Sequence, residues 1–311
     1  MKLTLTLSAA ISFFSGYSQT SAHSQPGNDS SVNCVAFWKM GDTKVYSIVH
    51  EKATTTNGVK EAPFRFAYEA WVSVIDSTAK NYTVKWVFHL PEVVTVLKPE
   101  LADSLPVYNG MQMIFRVTEM GAFVELLNWE EVRDTYLRMM ELSMPPKKDS
   151  TLIAALQSAK NLYNSKEMVE SSLIKEIQLF HVPFGYKFES RVVMAPTEIT
   201  NPFGGQPLPG IQTIKVSGLA PKTDSFTLVF NLRVDKANTK SLIDSMMTKM
   251  NIKDDSEMQA AREKYARFNL QDNSEYHFIR SSGWLKRIYY NRTVDIAGKI
   301  QDDAYTITLQ E

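Results

Sequence analysis

The sequence predicts an α+β chain: a large, curved antiparallel sheet with helices packed on one face. In several long stretches apolar residues recur at every second position, the period of a strand. In others they recur every third or fourth residue, the period of an amphipathic helix. The two periods come in blocks (strands, helices, strands, helices, strands). That order disfavours a parallel, doubly wound sheet, which needs strand and helix to alternate.

The first clear strand is Phe64, Phe66, Tyr68, Ala70, Val72 and Val74, interleaved with Arg65, Glu69 and Ser73. Tyr82, Val84, Trp86 and Phe88 repeat the pattern after a short polar break, so the pair reads as an antiparallel hairpin. Met111, Met113, Phe115 and Val117, turned at Glu119-Met120-Gly121 into Phe123–Leu127, read as a second hairpin. The period changes at Trp129, with Val132, Tyr136 and Met140 on one helical face and Pro145-Pro146 as the stop. Ser150 and Ser165 stand where helix caps belong. The helix after Ser165 carries Val169, Leu173, Ile177 and Phe180 on one face.

Strands return over about 186–194. Proline and Gly204-Gly205 make 196–209 a loop, and Ile211–Val216 is short and apolar. Phe226, Leu228, Phe230, Leu232 and Val234 form the cleanest alternation in the chain. Leu242, Met246 and Met250, then Met258, Ala261, Tyr265 and Phe268, predict two further helices. Strands at 275–280, 286–296 and 305–309 close the chain.

Met1-Lys2, an apolar run from Leu3 to Phe14 and the small residues after it have the form of an export signal over 1–22. Gly16-Tyr17-Ser18 and Thr20-Ser21-Ala22 both fit a cleavage site. The run is too short for a spanning helix, which needs roughly 20 residues. Residues 23–34 read as a flexible leader. Residues 35–311 read as one large domain, or as two strand-then-helix halves at 35–182 and 186–311. The expected destination is periplasmic or extracellular. Asn28, Asn81 and Asn291 head glycosylation sequons, which matter only in a host that glycosylates exported proteins.

Composition removes several function classes. There are 34 basic and 34 acidic residues, so bulk charge gives no grip on nucleic acid. Cys34 is the single cysteine, which leaves no internal disulfide and no Cys-rich zinc site, and a buried free thiol is expected. The histidines (His23, His50, His89, His181 and His277) lack helical metal-ligand spacing and read as surface residues. No Gly-x-Ser-x-Gly turn, P-loop or dinucleotide fingerprint is present, so no catalytic residue, metal site or cofactor is expected. The acid pairs Glu130-Glu131, Asp254-Asp255 and Asp302-Asp303 read as solvated helix faces and turns. Lys286-Arg287 with Tyr289-Tyr290 reads as a polar strand whose charges alternate sides.

Methionine is the remaining signal. Of 14 methionines, Met139, Met140, Met144, Met168, Met246, Met247, Met250 and Met258 fall in or beside predicted helices. Such side chains fill irregular gaps between helices and a curved sheet, and they also line deformable apolar pockets. If a pocket forms there, Trp86, Trp129, Met140, Met246 and Met247 are the expected lining.

Ala36-Phe37-Trp38-Lys39-Met40-Gly41-Asp42-Thr43-Lys44-Val45-Tyr46-Ser47 and Ser281-Ser282-Gly283-Trp284 resemble the opening and closing segments of a secreted bacterial family of unknown function, common in Bacteroidota. That resemblance implies no activity and no functional residues. The expected sheet with helices on its inner face is similar to periplasmic lipoprotein carriers at the level of fold. The functional expectation is an exported, non-enzymatic protein that holds an apolar or lipid-like molecule between sheet and helices. One alternative is a surface interaction module with a protein partner, marked by an outward apolar patch near Trp71 and Ile75. The other is an enzyme, marked by convergent polar groups with shifted pKa values in one cleft.

Overall fold

The computed structural model describes residues 31–90, 105–144, 150–199, 207–218, 223–235, 256, 259, 263, 268–296 and 298–310. Their main feature is one open antiparallel sheet of twelve strands. One wing comes from the first half of the chain: β2 (Thr43–Thr56), β3 (Val59–Lys60), β4 (Phe64–Ser77), β5 (Asn81–His89), β6 (Gln112–Thr118) and β7 (Phe123–Leu126). The other comes from the second half: β9 (Val193–Ile199), β10 (Leu208–Ser217), β11 (Ser225–Val234), β12 (Asn269–Ile279), β13 (Leu285–Ile296) and β14 (Lys299–Leu309). The order is β7-β6-β5-β4-β2-β14-β13-β12-β11-β10-β9, with β3 paired to β2 alone. The wings meet where β2 pairs with β14, Lys299 facing Thr56 and Leu309 facing Tyr46. A separate two-stranded ribbon joins β1 (Ser31–Asn33) to β8 (Lys187–Glu189). Ser31–Asn33, expected in the flexible leader, is therefore paired strand.

Alternation decides which face is inner. Tyr68, Ala70, Val72 and Val74 of β4 are buried, as are Val84, Trp86 and Phe88 of β5 and Phe226, Leu228 and Phe230 of β11. Their sequence neighbours point the other way, and Trp71 and Ile75 are exposed at 45% and 38%. The fold class predicted from the two periods is the one observed: α+β, with helices on one face of a large antiparallel sheet. Those helices are α1 (Trp129–Leu142), α2 (Ser150–Leu162), α3 (Lys166–Leu173) and α4 (Lys175–His181). Val132 of α1, Val169 of α3 and Ile177 and Phe180 of α4 join the core of the inner face. Glu125 of β7 binds both Arg116 and Lys166, and Leu126 N–H donates to Glu170 Oε1 at 2.6 Å, fastening α3 to the sheet edge.

Some local details differ from expectation. The helix after Ser165 is two helices. Ser165 caps the first, accepting from Met168 N–H, but Ile174 (φ −121°, ψ 38°) breaks the run before Lys175. The break places Ile174, Ile177 and Phe180 all in the core. Strand β12 begins at Asn269, well before the expected residue 275, directly after Phe268. Both ends of the loop predicted over 196–209 are strand: Leu208 opens β10, and Pro196 lies inside β9, an edge strand where a missing N–H is tolerated, while 200–206 lie outside the described residues. A register shift at His277/Phe278 lets Lys286 bulge out of β13, so Lys286 and Arg287 are both exposed instead of alternating sides. The two helices expected over 242–268 lie outside the described residues, except that Ser256, Gln259 and Glu263 are helical. The export signal and most of the leader lie outside them too. No helix among the described residues is long and apolar enough to cross a membrane.

Candidate functional site

The inner face has two kinds of buried environment. Under α4 lies a block of aromatic rings. Phe180 meets Tyr46 edge-on at 5.3 Å and Trp86 at 5.9 Å between ring centres. Trp38 stacks on Trp284 at 4.4 Å and meets Phe184 at 5.5 Å. This block is held by the chain's own opening and closing segments: Cys34 N–H donates to Tyr186 O, Gly185 N–H to Cys34 O, and Phe37 N–H to Ser282 O. Gly283 (φ +68°) lies so close to that opening segment that an added Cβ would stand 2.1 Å from Val35 O. Cys34 is a buried free thiol, and burial pushes its pKa up.

His181 sits inside the block, not on the surface. It is 4% exposed, its Nδ1 lies 2.7 Å from Gly121 O, and burial pulls its pKa down to about 4. His50 also departs from the surface residue expected, since it is mostly buried against Asp303, while His277 is part-exposed beside Glu275.

The second environment is a polar belt built by strand register. Asp272 on β12 faces Arg292 on β13, Arg292 faces Asp303 on β14, and Asp303 faces Lys52 on β2. One row along, Ser274 faces Tyr290, Tyr290 faces Tyr305, and Tyr305 faces His50. Arg292 donates to both oxygens of Asp272, at 2.7 Å from Nε and 2.6 Å from Nη2, with Asp272 only 2% exposed. Lys175, the first residue of α4, donates from Nζ to Asp303 Oδ2 at 3.1 Å, and His50 Nε2 lies 2.7 Å from Asp303 Oδ1. The Lys175 ammonium also lies over the rings of Tyr290 and Tyr305, 5.0 and 4.8 Å from their centres. His50 stacks on Tyr305 at 4.0 Å.

The electrostatics follow from this packing. Burial lowers the Lys175 pKa, and the nearby Asp303 charge opposes that fall. Burial alone would raise the Asp303 carboxyl, but the His50 hydrogen bond and the charges of Lys175 and Lys52 outweigh it and hold it well below the usual range. Burial, then the Asp272 charge, pushes the Tyr290 phenol well above its ordinary value. The Tyr290 hydroxyl is buried with no hydrogen-bond partner, while Ser274 stands within reach of the Tyr276 hydroxyl.

Apolar residues flank the belt. On one side Tyr276, Phe278, Ile288 and Ile307 belong to the main core. On the other, Ile199, Leu208, Leu232, Val234, Phe268, Leu270 and Val294 form a second cluster, with no member from α1–α4. Among the described residues no three His, Cys, Asp or Glu side chains group as metal ligands. Chemically, the belt can hold a polar group inside an apolar layer.

Of the residues expected to line a pocket, three fall among the described residues. Trp86 is fully buried in the aromatic block. Trp129 opens α1, half-buried against the same core, with the Arg133 guanidinium 5.2 Å from its ring centre. Met140 is half-buried farther along α1, while Met246 and Met247 lie outside the described residues. Glu130-Glu131 is the exposed first turn of α1, as expected. Asp302-Asp303 is not a solvated turn: both lie within β14, Asp302 accepting from Thr293 Oγ1 at 2.6 Å while Asp303 enters the belt. Asp254-Asp255 lies outside the described residues. Sequence reasoning missed Lys175, Asp272, Tyr290, Arg292 and Asp303. The available signal was a charged residue at inward strand parity, as in Leu270-x-Asp272-x-Ser274 and Tyr290-x-Arg292-x-Val294.

No family model matches the chain, and no curated protein matches it. Among solved structures it is similar to one titled "Lipid-protein interactions in lipovitellin", with TM-score 0.41 and 8% identity over 88% of this chain and 25% of that one. It is also similar to Rv2717c from M. tuberculosis, with TM-score 0.22 and 8% identity over 85% of this chain and 91% of that one. The chain thus spans about a quarter of the lipovitellin structure's length. At such scores and identities neither neighbour lends this chain a function.

Proposed function

We propose that the protein is an exported, non-enzymatic binding protein that holds a lipid-like molecule on the inner face of its sheet. The observation that carries this reading is the polar belt, a band of charged and hydroxyl groups lying between two buried apolar clusters. A molecule with a hydrocarbon body and a polar end matches that division, and a purely apolar one does not. Export is supported by the charge, apolar run and small residues of 1–22. Native mass spectrometry of the full chain purified from its host tests the binding. A co-purifying lipid-like molecule, released on denaturation, is the expected result. Protein of bare polypeptide mass would overturn it.

A second reading has its own observation. Trp71, 45% exposed, stands on the outer face 4.3 Å from the His89 ring, with Ile75 exposed farther along β4. This is the patch expected of a surface interaction module. A photo-crosslinking residue at position 71, activated in the host, would join it to one discrete protein. Diffuse labelling would count against that reading.

A further inference from the structure

Two asparagines in the chain precede glycine, in Asn57-Gly58 and Asn109-Gly110. Glycine has no side chain to shield its backbone nitrogen, which can attack the carboxamide of the asparagine before it. Both pairs are exposed turns with a left-handed glycine, φ +82° at Gly58 and +80° at Gly110, and an added Cβ would meet nothing within 4 Å at either. Hydrogen bonding separates them. Asn109 Oδ1 accepts from Leu90 N–H at 3.1 Å, and Gly110 N–H donates to Phe88 O at 2.8 Å. The carboxamide and the attacking nitrogen are therefore both held against the end of β5. At the other site neither the Asn57 carboxamide nor the Gly58 N–H is hydrogen-bonded among the described residues. Asn57 has φ 51°, and the pair is the two-residue loop of the β2–β3 hairpin, where Thr56 faces Val59. Strand β3 is only two residues long and both are exposed, so the loop can leave its turn geometry at little cost.

We infer that Asn57 is a site of spontaneous deamidation and that the fold protects Asn109 from the same reaction. The Gly58 nitrogen adds to Asn57 Cγ. A bond forms between that nitrogen and Cγ, the bond from Cγ to Nδ2 breaks, and the proton of Gly58 N–H leaves with Nδ2 as ammonia. Water then opens the cyclic imide. Opening at the side-chain carbonyl gives aspartate, and opening at the main-chain carbonyl gives isoaspartate, whose backbone runs through Cβ and Cγ. Either product puts a negative charge on a hairpin where Thr56 already donates to Glu61 Oε1 at 3.2 Å. Isoaspartate also lengthens the main chain by one carbon, which a two-residue loop between paired Thr56 and Val59 cannot absorb. The bond from Asn57 N–H to Gly298 O, 3.0 Å long, ties this tip to the β13–β14 turn and is the contact that isoaspartate would loosen.

The test ages the full chain in mildly alkaline buffer, once folded and once in urea, and follows both asparagines by peptide mapping with mass spectrometry. In urea the two sites should convert at similar rates, since each is an asparagine followed by glycine. In the folded chain Asn57 should convert at least about tenfold faster than Asn109, because two hydrogen bonds must break before Asn109 can cyclise. Asn57→Gln would have to close a larger ring, which is far slower, and should remove the main acidic form that ion-exchange chromatography separates from the aged folded chain. Equal conversion of the two sites in the folded chain overturns the inference. So does an Asn57 that converts in urea but stays intact when folded, or an acidic form that persists undiminished in Asn57→Gln.

Discussion

The aromatic block under α4 and the polar belt beside it are both buried by the same helix and the same sheet, yet they are stabilised in opposite ways. The block is rings packed on rings, with Phe180, Phe184, Trp38 and Trp284 in mutual contact and one neutral histidine enclosed. Each ring removed from water adds stability, less at Trp38 and Trp86, whose buried indole N–H groups have no partner. The belt is charges placed where the sheet's parity would otherwise put aliphatic side chains. There each group is tolerable only because a specific partner stands opposite. A protein needing only a core would be better served by extending the block. The belt is thus less stabilising than an aliphatic layer of the same volume in the same place.

The largest effect should come from breaking the belt at its most enclosed pair. Arg292→Met leaves Asp272 buried without its two donors, and the expected loss is about 3–5 kcal/mol in urea unfolding. The double change Asp272→Leu with Arg292→Met should recover most of that loss, because the penalty lies in the orphaned charge and not in absent attraction. If the double variant is as unstable as the single, the pair itself supports the sheet and the contrast between belt and block disappears.

Acid separates the two regions in order. The His181 pKa is about 4 in the folded block and near its ordinary 6.5 once unfolded. A folded value below the unfolded one favours the neutral form. The stability this contributes is complete above about pH 6.5 and is lost as the pH falls toward 4. The slope is about 1.4 kcal/mol per pH unit, for a total of about 3 kcal/mol. Asp303 is also held low when folded, but an unfolded aspartate titrates near pH 3.9, so its contribution is lost only below about that value. The block should therefore weaken first and the belt second. Urea midpoints followed downward from neutral pH should show the first slope, and His181→Gln should flatten it. An unchanged slope in that variant would place the acid sensitivity elsewhere.

The block was legible in the sequence and the belt was not, for a physical reason. Alternation at Phe226 to Val234 and at Phe64 to Val74 marks strands because each apolar residue reports its own burial. The three-to-four spacing at Trp129, Val132, Tyr136 and Met140 marks α1 in the same way. Local signals also found the Ser165 cap. The belt is set by register between strands far apart in the chain, with His50, Asp272, Arg292 and Asp303 converging on a lysine at a helix start. Nothing local pairs them. Lys175 falls off the apolar face of the helix expected after Ser165, and only the break at Ile174 places it at the start of a new helix, over the sheet. Asp303 looked like half of a solvated acid pair. Asp272 fell between the end of a predicted helix and a strand placed too late. Large apolar side chains such as Trp86 and Trp129 suit both a pocket and a core, and Trp86 is part of the core.

The smallest stability change carries the finest distinction. Tyr290→Phe deletes a hydroxyl that has no partner and keeps the ring on which Lys175 rests. An unpartnered buried hydroxyl costs stability, so its removal from protein free of ligand should leave the unfolding free energy unchanged or raise it by up to about 1 kcal/mol. A deletion of the same kind inside a satisfied network would lower stability by about that amount. A Tyr290→Phe variant less stable than the parent without ligand would mean that the hydroxyl is already served within the protein. The belt would then be a closed structural network, as complete in its own chemistry as the aromatic block is in its packing.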